Sequence, residues 1–301
     1  MAEKATEKCG FVAVLGASNA GKSTLVNQMV GTKVSIVSPK VQTTRTRILG
    51  ICMREEAQIL LVDTPGIFNP RRRLDRAMVA SAWSGARDAD EVIVLVDAKR
   101  GFDGDTRDIV DRLMAESRKT ILALNKIDLV RRDQLPALSR ELFATGLFKE
   151  AFMISAVSGD GVRDLTAYLA ERLPEGPWMY PGEQVSDMPE YLLTAEITRE
   201  QLYRQLRREL PYAATVETES WENFNDGAVR IGQIIYIERS SQKGIVIGKR
   251  GNRIKSIREA AQKEMEELLG VSVHLFLFLK VKEDWGDDRE RFDTWALDFN
   301  A

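Results

Sequence analysis

The sequence predicts an α/β domain with a mostly parallel sheet and one antiparallel edge strand, followed by a smaller α+β domain. Three observations support this fold class. Apolar strand-like runs alternate with helical patterns from Phe11 to Leu173, as in successive βαβ units. Four of the nine prolines then fall within residues 174–189. Beyond them the order of elements changes to helix–strand–strand–helix–helix–strand.

The first predicted strand, Phe11–Leu15, leads through a glycine-rich turn into a helix at Lys22–Val30. The connection between Arg47–Met53 and Gln58–Val62 is short enough for an antiparallel hairpin at one edge of the sheet. The remaining elements alternate along the chain. They are strands at Glu91–Val96, Thr120–Leu124 and Ala151–Ile154, and helices at Leu74–Ala86, Thr106–Ser117, Gln134–Thr145 and Val162–Arg172.

The prolines and glycines of residues 174–190 predict a linker between the two domains. The second domain begins with a helix at Tyr191–Leu206, and its first two strands are joined by the turn Asn225-Asp226-Gly227. The tail from Glu283 is acidic and is predicted to be helical near its end. The other predicted elements are strands at Ala213–Ser220, Ala228–Glu238 and Ser272–Lys282, and a helix that ends at Leu269.

The composition, with 44% hydrophobic and 29% charged residues in 301, suits two packed domains. Cys9 and Cys52 provide neither a disulfide framework nor metal-ligand spacing, so we expect a reducing cytosol. No apolar run approaches the ~20 residues of a membrane span, and the charged N-terminus has no signal-peptide core. The single histidine, His274, lies in an apolar run and is expected to be packed. With a net charge of −2, any nucleic-acid site must be a local patch.

Residues Gly16 to Ser23 read G-A-S-N-A-G-K-S, a complete phosphate-binding loop between a predicted strand and a predicted helix. In this context backbone N–H groups and the helix dipole point at one place, where a phosphate chain binds. Gly21 permits the close approach of the backbone. Lys22 can reach the β- and γ-phosphates, and the Ser23 hydroxyl can ligate Mg²⁺. An ordinary strand–turn–helix joint would give no packing reason for the Lys-Ser pair.

Two further segments complete a phosphate and metal site. Asp63-Thr64-Pro65-Gly66 follows a predicted strand, so Asp63 can hold Mg²⁺ through a water and the Gly66 N–H can contact a γ-phosphate. Residues 38–45 precede it, where a nucleotide switch needs a hydroxyl that closes on Mg²⁺. Thr43 and Thr44 both qualify, and Thr44 is favoured.

The segment Asn125-Lys126-Ile127-Asp128 predicts a preference for guanine. An ionised Asp128 can accept two hydrogen bonds from the guanine edge, whereas adenine would leave it unpaired, at a cost of about 1–3 kcal/mol. Lys126 can lie along the base, and Asn125 can tie this loop to the phosphate loop. Ser155-Ala156 follows the next predicted strand, where the Ala156 N–H could meet the guanine O6.

Ile67 follows Gly66 at the position where Ras-like enzymes have a water-orienting glutamine. An isoleucine cannot orient water, so we expect slow intrinsic hydrolysis. The basic loop at residues 69–73 has two interpretations, a solvated loop or a contact with RNA or another partner.

The second domain contains a basic stretch, Lys243 to Arg258, with six cations and no acidic residue. At its centre Gly248-Lys249-Arg250-Gly251 forms a G-x-x-G turn between two helices. Such a turn lets backbone N–H groups and two cations approach a nucleic-acid backbone beside an apolar groove for single-stranded bases. A helix corner on a basic surface is the alternative interpretation.

Taken together, residues 10 to 290 resemble the Era family of GTPases, which carry a C-terminal type II KH domain. The resemblance depends on the motifs GASNAGKS, QTTR, DTPG, NKID and SAVSG, followed by GIVIGKRGNRIK. It implies a P-loop NTPase fold for residues 1–173 as the GTP-binding domain, then residues 174–190 as a linker, 191–282 as a KH-like RNA-binding domain and 283–301 as an acidic tail.

The resemblance implies a GTPase that binds GTP and GDP with Mg²⁺ and recognises the 3′ end of 16S rRNA. Such a protein would assist assembly of the 30S subunit, with the nucleotide state gating RNA binding. It implies a cytoplasmic protein with peripheral association at the inner membrane, and a monomer is expected. A K⁺ ion held by Asn19 is a further expectation. The alternative is an RNA-binding assembly factor in which nucleotide has a structural role and turnover is incidental.

The predicted site residues fall into four groups. The catalytic residues are Lys22, Thr44 and Gly66, and the Mg²⁺ ligands are Ser23, Thr44 and Asp63. The RNA-binding residues are Lys243, Ile247, Gly248, Lys249, Arg250, Gly251, Arg253 and Lys255. The nucleotide-binding residues are Gly16, Ala17, Ser18, Asn19, Ala20, Gly21, Lys22, Ser23, Thr24, Asp63, Thr64, Pro65, Gly66, Asn125, Lys126, Asp128, Ser155 and Ala156.

Overall fold

A computed structural model describes residues 6–38, 40, 43–68, 70, 72–207 and 210–301. Three residues of the predicted switch, Pro39, Val41 and Gln42, and two of the basic loop, Asn69 and Arg71, lie outside the described residues. The chain divides into two compact units. The first consists of Met1–Ser35, Thr44–Asp187 and Phe292–Ala301, and the second consists of Ile36–Thr43 and Met188–Arg291.

The first unit is an α/β domain built on a six-stranded sheet in the order β2-β3-β1-β4-β5-β6. The pair β2–β3 is antiparallel and the other neighbours are parallel, which confirms the predicted fold class. Its elements are β1 (Lys8–Gly16), α1 (Lys22–Val30), β2 (Ile48–Arg54), β3 (Ala57–Asp63), α2 (Arg73–Asp88), β4 (Glu91–Asp97), α3 (Gly104–Ala115), β5 (Thr120–Asn125), α4 (Leu135–Phe143), β6 (Phe148–Met153) and α5 (Val162–Arg172).

The central strands are buried on both faces, which explains why they appear in the sequence as continuous apolar runs. On β1, Val12 and Val14 pack into one core while Ala13 and Leu15 pack into the other. The parallel strands β1, β3, β4 and β5 end at the same edge of the sheet. This edge is where ligands bind in open α/β sheets, and it brings the predicted nucleotide motifs together.

Residues 174–187 of the predicted linker belong to the first unit and pack along it. The Pro174 carbonyl accepts from the Cys9 N–H at 3.1 Å, and the Val185 carbonyl accepts from the Ile51 N–H at 2.9 Å. The Gln58 amide donates to the Tyr180 carbonyl at 2.8 Å. The physical reason is that β2 is an edge strand, whose backbone groups need partners. The boundary between the units falls after Asp187.

The second unit has the predicted order of helix, two strands, two helices and a strand. Its three-stranded sheet is ordered β7-β8-β9, with β7–β8 antiparallel and β8–β9 parallel. His274, which we expected to be packed, is instead exposed, because only one face of this sheet is covered by helices. The elements are α6 (Glu190–Gln205), β7 (Ala214–Asn223), β8 (Val229–Ile237), α7 (Lys243–Ile247), α8 (Asn252–Leu269) and β9 (Val273–Val281).

The C-terminal segment also differs from the prediction of a single acidic tail. Its last helix, α9, spans Arg289–Thr294. Trp285 is buried in the second unit and its indole N–H donates to the Ala213 carbonyl at 3.0 Å. Phe292 and Phe299 belong to the first unit, with ring centroids 5.0 Å apart. Aromatic burial therefore anchors a segment that its charge alone would leave in solvent. In the described part of the chain, no helix is long and apolar enough to cross a membrane.

Candidate nucleotide site and nucleic-acid interface

The phosphate loop connects β1 to α1 and is shaped by glycines. Gly21 has φ of +102°, and a Cβ there would lie 2.4 Å from Asn125 Nδ2. A Cβ on Gly66 would lie 2.8 Å from Ser18 Oγ. Neither position has room for a side chain, so the backbones after β1 and β3 approach each other directly. The glycine at position 21 of the phosphate-loop pattern is thus required because a side chain would not fit there.

Lys22 lies within this loop and is buried. Its ammonium group donates to the carbonyls of Gly16 and Ala17, each at 3.1 Å. Burial lowers the pKa of Lys22 to about 8, although the negative charge of Asp63 opposes the shift. A buried cation held by the loop's own carbonyls is positioned to exchange them for phosphate oxygens.

Asp63 is the centre of a group of oxygen donors. One carboxylate oxygen, Oδ2, accepts from Ser23 Oγ at 2.7 Å and from Ser35 Oγ at 2.6 Å. The other, Oδ1, is buried and has no hydrogen-bond partner among the described residues. Burial raises the pKa of Asp63, while the bonds from Ser35 and Ser23 and the charge of Lys22 lower it. An orphaned carboxylate oxygen beside hydroxyl groups fits Mg²⁺, which prefers oxygen ligands.

The described part of the chain contains no group of three His, Cys, Asp or Glu side chains that could hold a metal alone. The two switch threonines differ in their surroundings. Thr44 Oγ1 lies 2.9 Å from Ser23 Oγ, whereas Thr43 Oγ1 donates to the Lys40 carbonyl at 2.8 Å. The geometry therefore supports Thr44 as the metal ligand.

Thr43 belongs to the second unit and is hydrogen-bonded within it. Its carbonyl accepts a hydrogen bond from the buried guanidinium of Arg199, which also pairs with Glu196. Nearby, Lys40 donates to the carbonyls at the C-terminal end of α6, Tyr203 and Leu206. Sequence reasoning did not identify Arg199, because a single arginine in a predicted helix carries no motif.

The base-binding end of the site is organised by Asn125 at the end of β5. Its Nδ2 donates to the Ala20 carbonyl at 2.8 Å, and its Oδ1 accepts from the Ala156 N–H at 2.9 Å. Asn125 thus joins the phosphate loop to the loop after β6. The contact of the Ala156 N–H with guanine O6 stays a prediction, and in this structure the same N–H donates to Asn125.

Lys126 lies across the phosphate loop, where its ammonium donates to the Asn19 carbonyl at 2.7 Å and pairs with Asp97 at 2.6 Å. Sequence analysis did not identify Asp97 as a site residue. Asp97 ends β4 just as Asp63 ends β3, and this shared position at a strand end could have indicated it. The exposed Asp128 carboxylate has no hydrogen-bond or ion-pair partner among the described residues. Its oxygens are therefore available to accept hydrogen bonds from a base.

Ile67 has a structural role next to the site. It is buried against the core, and its N–H donates to the Gly16 carbonyl at 3.2 Å. Its hydrocarbon side chain carries no polar group that could orient a nucleophile. Thr64 is also structural, because its hydroxyl donates to the Val14 carbonyl at 2.8 Å. The other predicted nucleotide-binding residues lie in the same loops, namely Thr24 in the first turn of α1, Pro65 before Gly66, and Ser155 after β6.

The G-x-x-G turn of the second unit lies between α7 and α8. Gly248 has φ of +75°, and a Cβ there would lie 2.6 Å from the Cβ of Arg253. Gly251 has φ of +78°, but a Cβ would meet open space. The two glycines therefore serve different needs, tight packing at the first and a left-handed backbone beside open space at the second.

The cations around this turn, which we call the GKRG loop (Gly248–Gly251), fall into two classes. Lys243, Lys249 and Arg250 are exposed and have no ion-pair partner among the described residues. Arg253 instead donates to the Ile245 carbonyl at 2.8 Å, and Lys255 lies 3.8 Å from Glu259. The Arg253 guanidinium, which was predicted to contact RNA, already has a hydrogen bond within the second unit. Ile245 and Ile247, which are 50% and 38% exposed, provide apolar surface beside the loop.

Comparisons with known proteins match both units. The family described as "50S ribosome-binding GTPase" matches residues 11–126, and the KH domain matches residues 209–286. The chain is 56% identical to the GTPase Era of Sinorhizobium medicae over 292 residues, 97% of this chain and 94% of that protein. It is 54% identical to the GTPase Era of Brucella suis over 297 residues, 99% of this chain and 96% of that protein.

Solved structures agree with these matches. A single-residue variant of Aquifex aeolicus Era bound to GDP·AlF₄⁻ is 35% identical, with a TM-score of 0.90 over 96% of this chain and 98% of that chain. Era in complex with MgGDPNP and nucleotides 1506–1542 of 16S ribosomal RNA is similar by the same measures, 35% identity and a TM-score of 0.90 over 96% and 98% of the chains. The resemblance seen in the motifs is thereby confirmed. The chain belongs to the Era family of GTPases and hydrolyses GTP to GDP and phosphate.

Proposed function

We propose that this GTPase binds the 3′ end of small-subunit ribosomal RNA through its KH domain and assists 30S assembly, with the nucleotide state gating RNA binding. The observation that carries the proposal is that Lys243, Lys249 and Arg250 around the GKRG loop are exposed and have no ion-pair partner in the part of the chain that the structure describes. A solved relative binds nucleotides 1506–1542 of 16S ribosomal RNA, which supports the choice of RNA.

The site residues have defined roles in the reaction. Lys22 and the backbone N–H groups of the phosphate loop bind and orient the phosphates, and Lys22 stabilises charge that develops on the γ-phosphoryl group. Ser23, Thr44 and Asp63 would hold Mg²⁺, which neutralises charge on the phosphate oxygens. The Gly66 N–H is positioned to donate toward the γ-phosphate. Because Ile67 orients no water, the intrinsic rate is slow, and positioning falls to the backbone, to ions or to a partner.

Gating has a physical basis in the division of the switch. Thr44 belongs to the first unit and bonds Ser23, while Thr43, the preceding residue, belongs to the second and is held by Arg199. Closing Thr44 on Mg²⁺ and a γ-phosphate pulls directly on a residue that is anchored in the RNA-binding unit. A hydroxyl that responds to the γ-phosphate is thus covalently linked to that unit.

The decisive experiment uses the full chain and an RNA of nucleotides 1506–1542 of 16S rRNA. In Gly251→Asp the left-handed backbone is tolerable, but a carboxylate faces the RNA phosphates, so we expect about a 10-fold loss of affinity that grows as salt falls. Gly251→Asn is the matched control, with the same size and backbone preference but no charge. Changing both Lys249 and Arg250 to Ala should flatten the salt dependence by up to about two charges.

Basal GTP hydrolysis is measured on the same preparations and should be unchanged, because its residues lie in the first unit. If RNA affinity is unaltered in Gly251→Asp and in the double alanine variant, the GKRG loop is only a helix corner and the proposed RNA function is wrong.

Three finer expectations are part of this proposal. K⁺ held by Asn19 would stabilise charge at the β/γ-phosphates, and equal hydrolysis rates in K⁺ and Na⁺ would contradict it. Peripheral membrane association of a cytoplasmic protein rests on the family resemblance, and cosedimentation with anionic vesicles tests it. The proposed monomeric state is tested by sedimentation velocity.

A further inference from the structure

The sheet of the second unit is covered by helices on one face only. Side chains alternate across a strand. On β9, Leu275, Leu277 and Leu279 lie on the side that packs with α6, α7 and α8. The intervening residues therefore lie on the opposite face. Among these, Phe276 is 45% exposed and Phe278 is 53% exposed.

This opposite face is closed at one end by the segment that follows β9. The guanidinium of Arg291 stacks 4.5 Å from the ring centroid of Tyr236 and pairs with Glu217 on β7. The covering stops there, and Phe276 and Phe278, further along β9, remain in solvent. Two exposed phenylalanines on an edge strand are an aggregation hazard, which indicates that this surface has an occupant.

The charges around the two rings favour a polyanion. The Arg230 guanidinium lies 4.9 Å from the Phe276 ring centroid, and Lys280 follows Phe278 on the same face. Arg230 pairs with Glu222 at 3.7 Å and Lys280 pairs with Glu219 at 3.4 Å. Such exposed pairs contribute little, so phosphates can replace the carboxylates. Glu219 and Glu222 lie on β7, and their negative charges repel a polyanion from that strand. A polyanion is therefore expected to lie along β9.

The spacing of the rings favours single-stranded bases. Phe276 and Phe278 are two residues apart on one strand, so they lie about 7 Å from each other. RNA-recognition sheets use exposed aromatic rings in this way to stack two or three bases. Val246 of α7, the helix that leads into the GKRG loop, shares a core with Leu277 and Leu279, so the loop and the aromatic pair lie on opposite faces of the same edge strand β9.

We infer that Phe276 and Phe278, flanked by Arg230 and Lys280, form a second RNA-binding surface. Bases of the RNA stack on this surface after the RNA leaves the GKRG loop. This inference rests on the proposed RNA function and extends it. A G-x-x-G loop holds about four nucleotides. The RNA in the solved relative spans nucleotides 1506–1542, far more than that loop can hold. RNA that passes around the edge strand β9 reaches the aromatic pair.

The test compares two double variants of the full chain. Replacing Phe276 and Phe278 with Leu keeps apolar bulk but removes the rings, and replacing both with Tyr keeps the rings. Affinity for the RNA of nucleotides 1506–1542 should fall about 10-fold or more in the Leu variant and stay within about 3-fold in the Tyr variant. Tiled RNAs of about four nucleotides from the same window should bind both variants like the unmodified protein. Unchanged binding of these short RNAs shows that the second unit is intact, and basal GTP hydrolysis shows that the first unit is intact.

Three results would overturn the inference. The first is long-RNA affinity in the Leu variant within 2-fold of the unmodified protein. The second is an equal loss for short and long RNAs, which would place the effect in the groove beside the GKRG loop. The third is self-association of the unmodified protein that the Leu variant abolishes without a change in RNA affinity, which would make this face an interface between copies. If Gly251→Asp weakens RNA binding while the Leu variant does not, the proposed function stands and only this surface is wrong.

Discussion

The nucleotide site and the proposed RNA-binding surfaces differ in how their charged side chains are buried and paired. At the phosphate and metal end of the nucleotide site, Lys22 and Asp63 are buried and hydrogen-bonded to neighbouring groups, Lys22 to loop carbonyls and Asp63 to serine hydroxyls. Around the GKRG loop, Lys249 and Arg250 are exposed and have no partner among the described residues. A small triphosphate can be enclosed and desolvated, whereas a long RNA backbone must be met on an open surface.

The difference has consequences for specificity and for salt. Preorganised buried groups act at low dielectric, where a single misplaced atom has a large effect. Exposed cations act through screened attraction, so each one contributes modestly and salt weakens all of them together. Substitutions in the first unit should therefore produce large effects that depend little on salt, and substitutions in the second should produce small effects that depend strongly on it.

The largest effect is expected for Asp63→Asn. The amide keeps the size of the side chain but removes the charge that holds Mg²⁺, so hydrolysis should fall about 10²–10³-fold. Because the buried carboxylate is costly to ionise, the free energy of unfolding without nucleotide should change by less than about 1 kcal/mol. Single-turnover hydrolysis and urea unfolding measure the two quantities. A loss of stability without a loss of rate would make Asp63 a structural residue.

Asp128→Asn should change the choice of base. Loss of two charge-assisted hydrogen bonds is expected to weaken GTP binding about 100-fold, while XTP, whose C2 oxygen accepts from the new amide, should gain. Competition binding with GTP, XTP and ATP measures the change. Hydrolysis of saturating XTP at the normal GTP rate is the control for an intact phosphate site. A retained preference for guanine would show that Asp128 does not read the base.

The two switch threonines offer a matched pair. Thr44→Ala should lower hydrolysis about 10-fold or more, because Thr44 Oγ1 lies beside Ser23 and Asp63. Thr43→Ala should change it less than about 3-fold, because that hydroxyl bonds the Lys40 carbonyl instead. Steady-state hydrolysis at saturating Mg²⁺ decides between them. A larger loss of hydrolysis in Thr43→Ala than in Thr44→Ala would make Thr43 the metal ligand.

The smallest effect is a dependence of GTP binding on pH. The pKa of Lys22 is lowered to about 8 without nucleotide, and bound phosphates should raise it. Binding then takes up about half a proton at pH 8, and affinity falls as pH rises from 8 toward 10. Calorimetry in buffers of different ionisation enthalpy measures the proton uptake. Lys22→Met should abolish the uptake attributed to Lys22, and an unchanged uptake would place the titrating group elsewhere.

Short motifs were predictable because their chemistry depends on neighbours in sequence. The phosphate loop requires Gly21 and Lys22 next to each other on one turn, and its steric basis is seen in the closeness of Gly21 to Asn125. The strands of the first unit were predictable as well, because burial on both faces leaves continuous apolar runs. The helix α5 begins and ends where its pattern predicted, at Val162 and Arg172.

Features that join distant parts of the chain were not predictable in this way. Asp97 meets Lys126 only because β4 and β5 are neighbours in the sheet, and the Ala156 N–H meets Asn125 because β5 and β6 are neighbours. Arg199 bonds the Thr43 carbonyl across 156 residues of sequence. The proline-rich segment became part of the first unit because the edge strand β2 needed partners, which no local composition reveals.

By itself the sequence determined the two-domain α/β and α+β order, the nucleotide motifs and the basic GKRG loop, since each is encoded within a few adjacent residues. The tertiary structure decided which face of β9 stays uncovered, and therefore that Phe276 and Phe278 are exposed while Leu277 between them is part of the core. The alternation of apolar residues on that strand is hidden, because both sets are hydrophobic. Only the packing of helices on one side separates them.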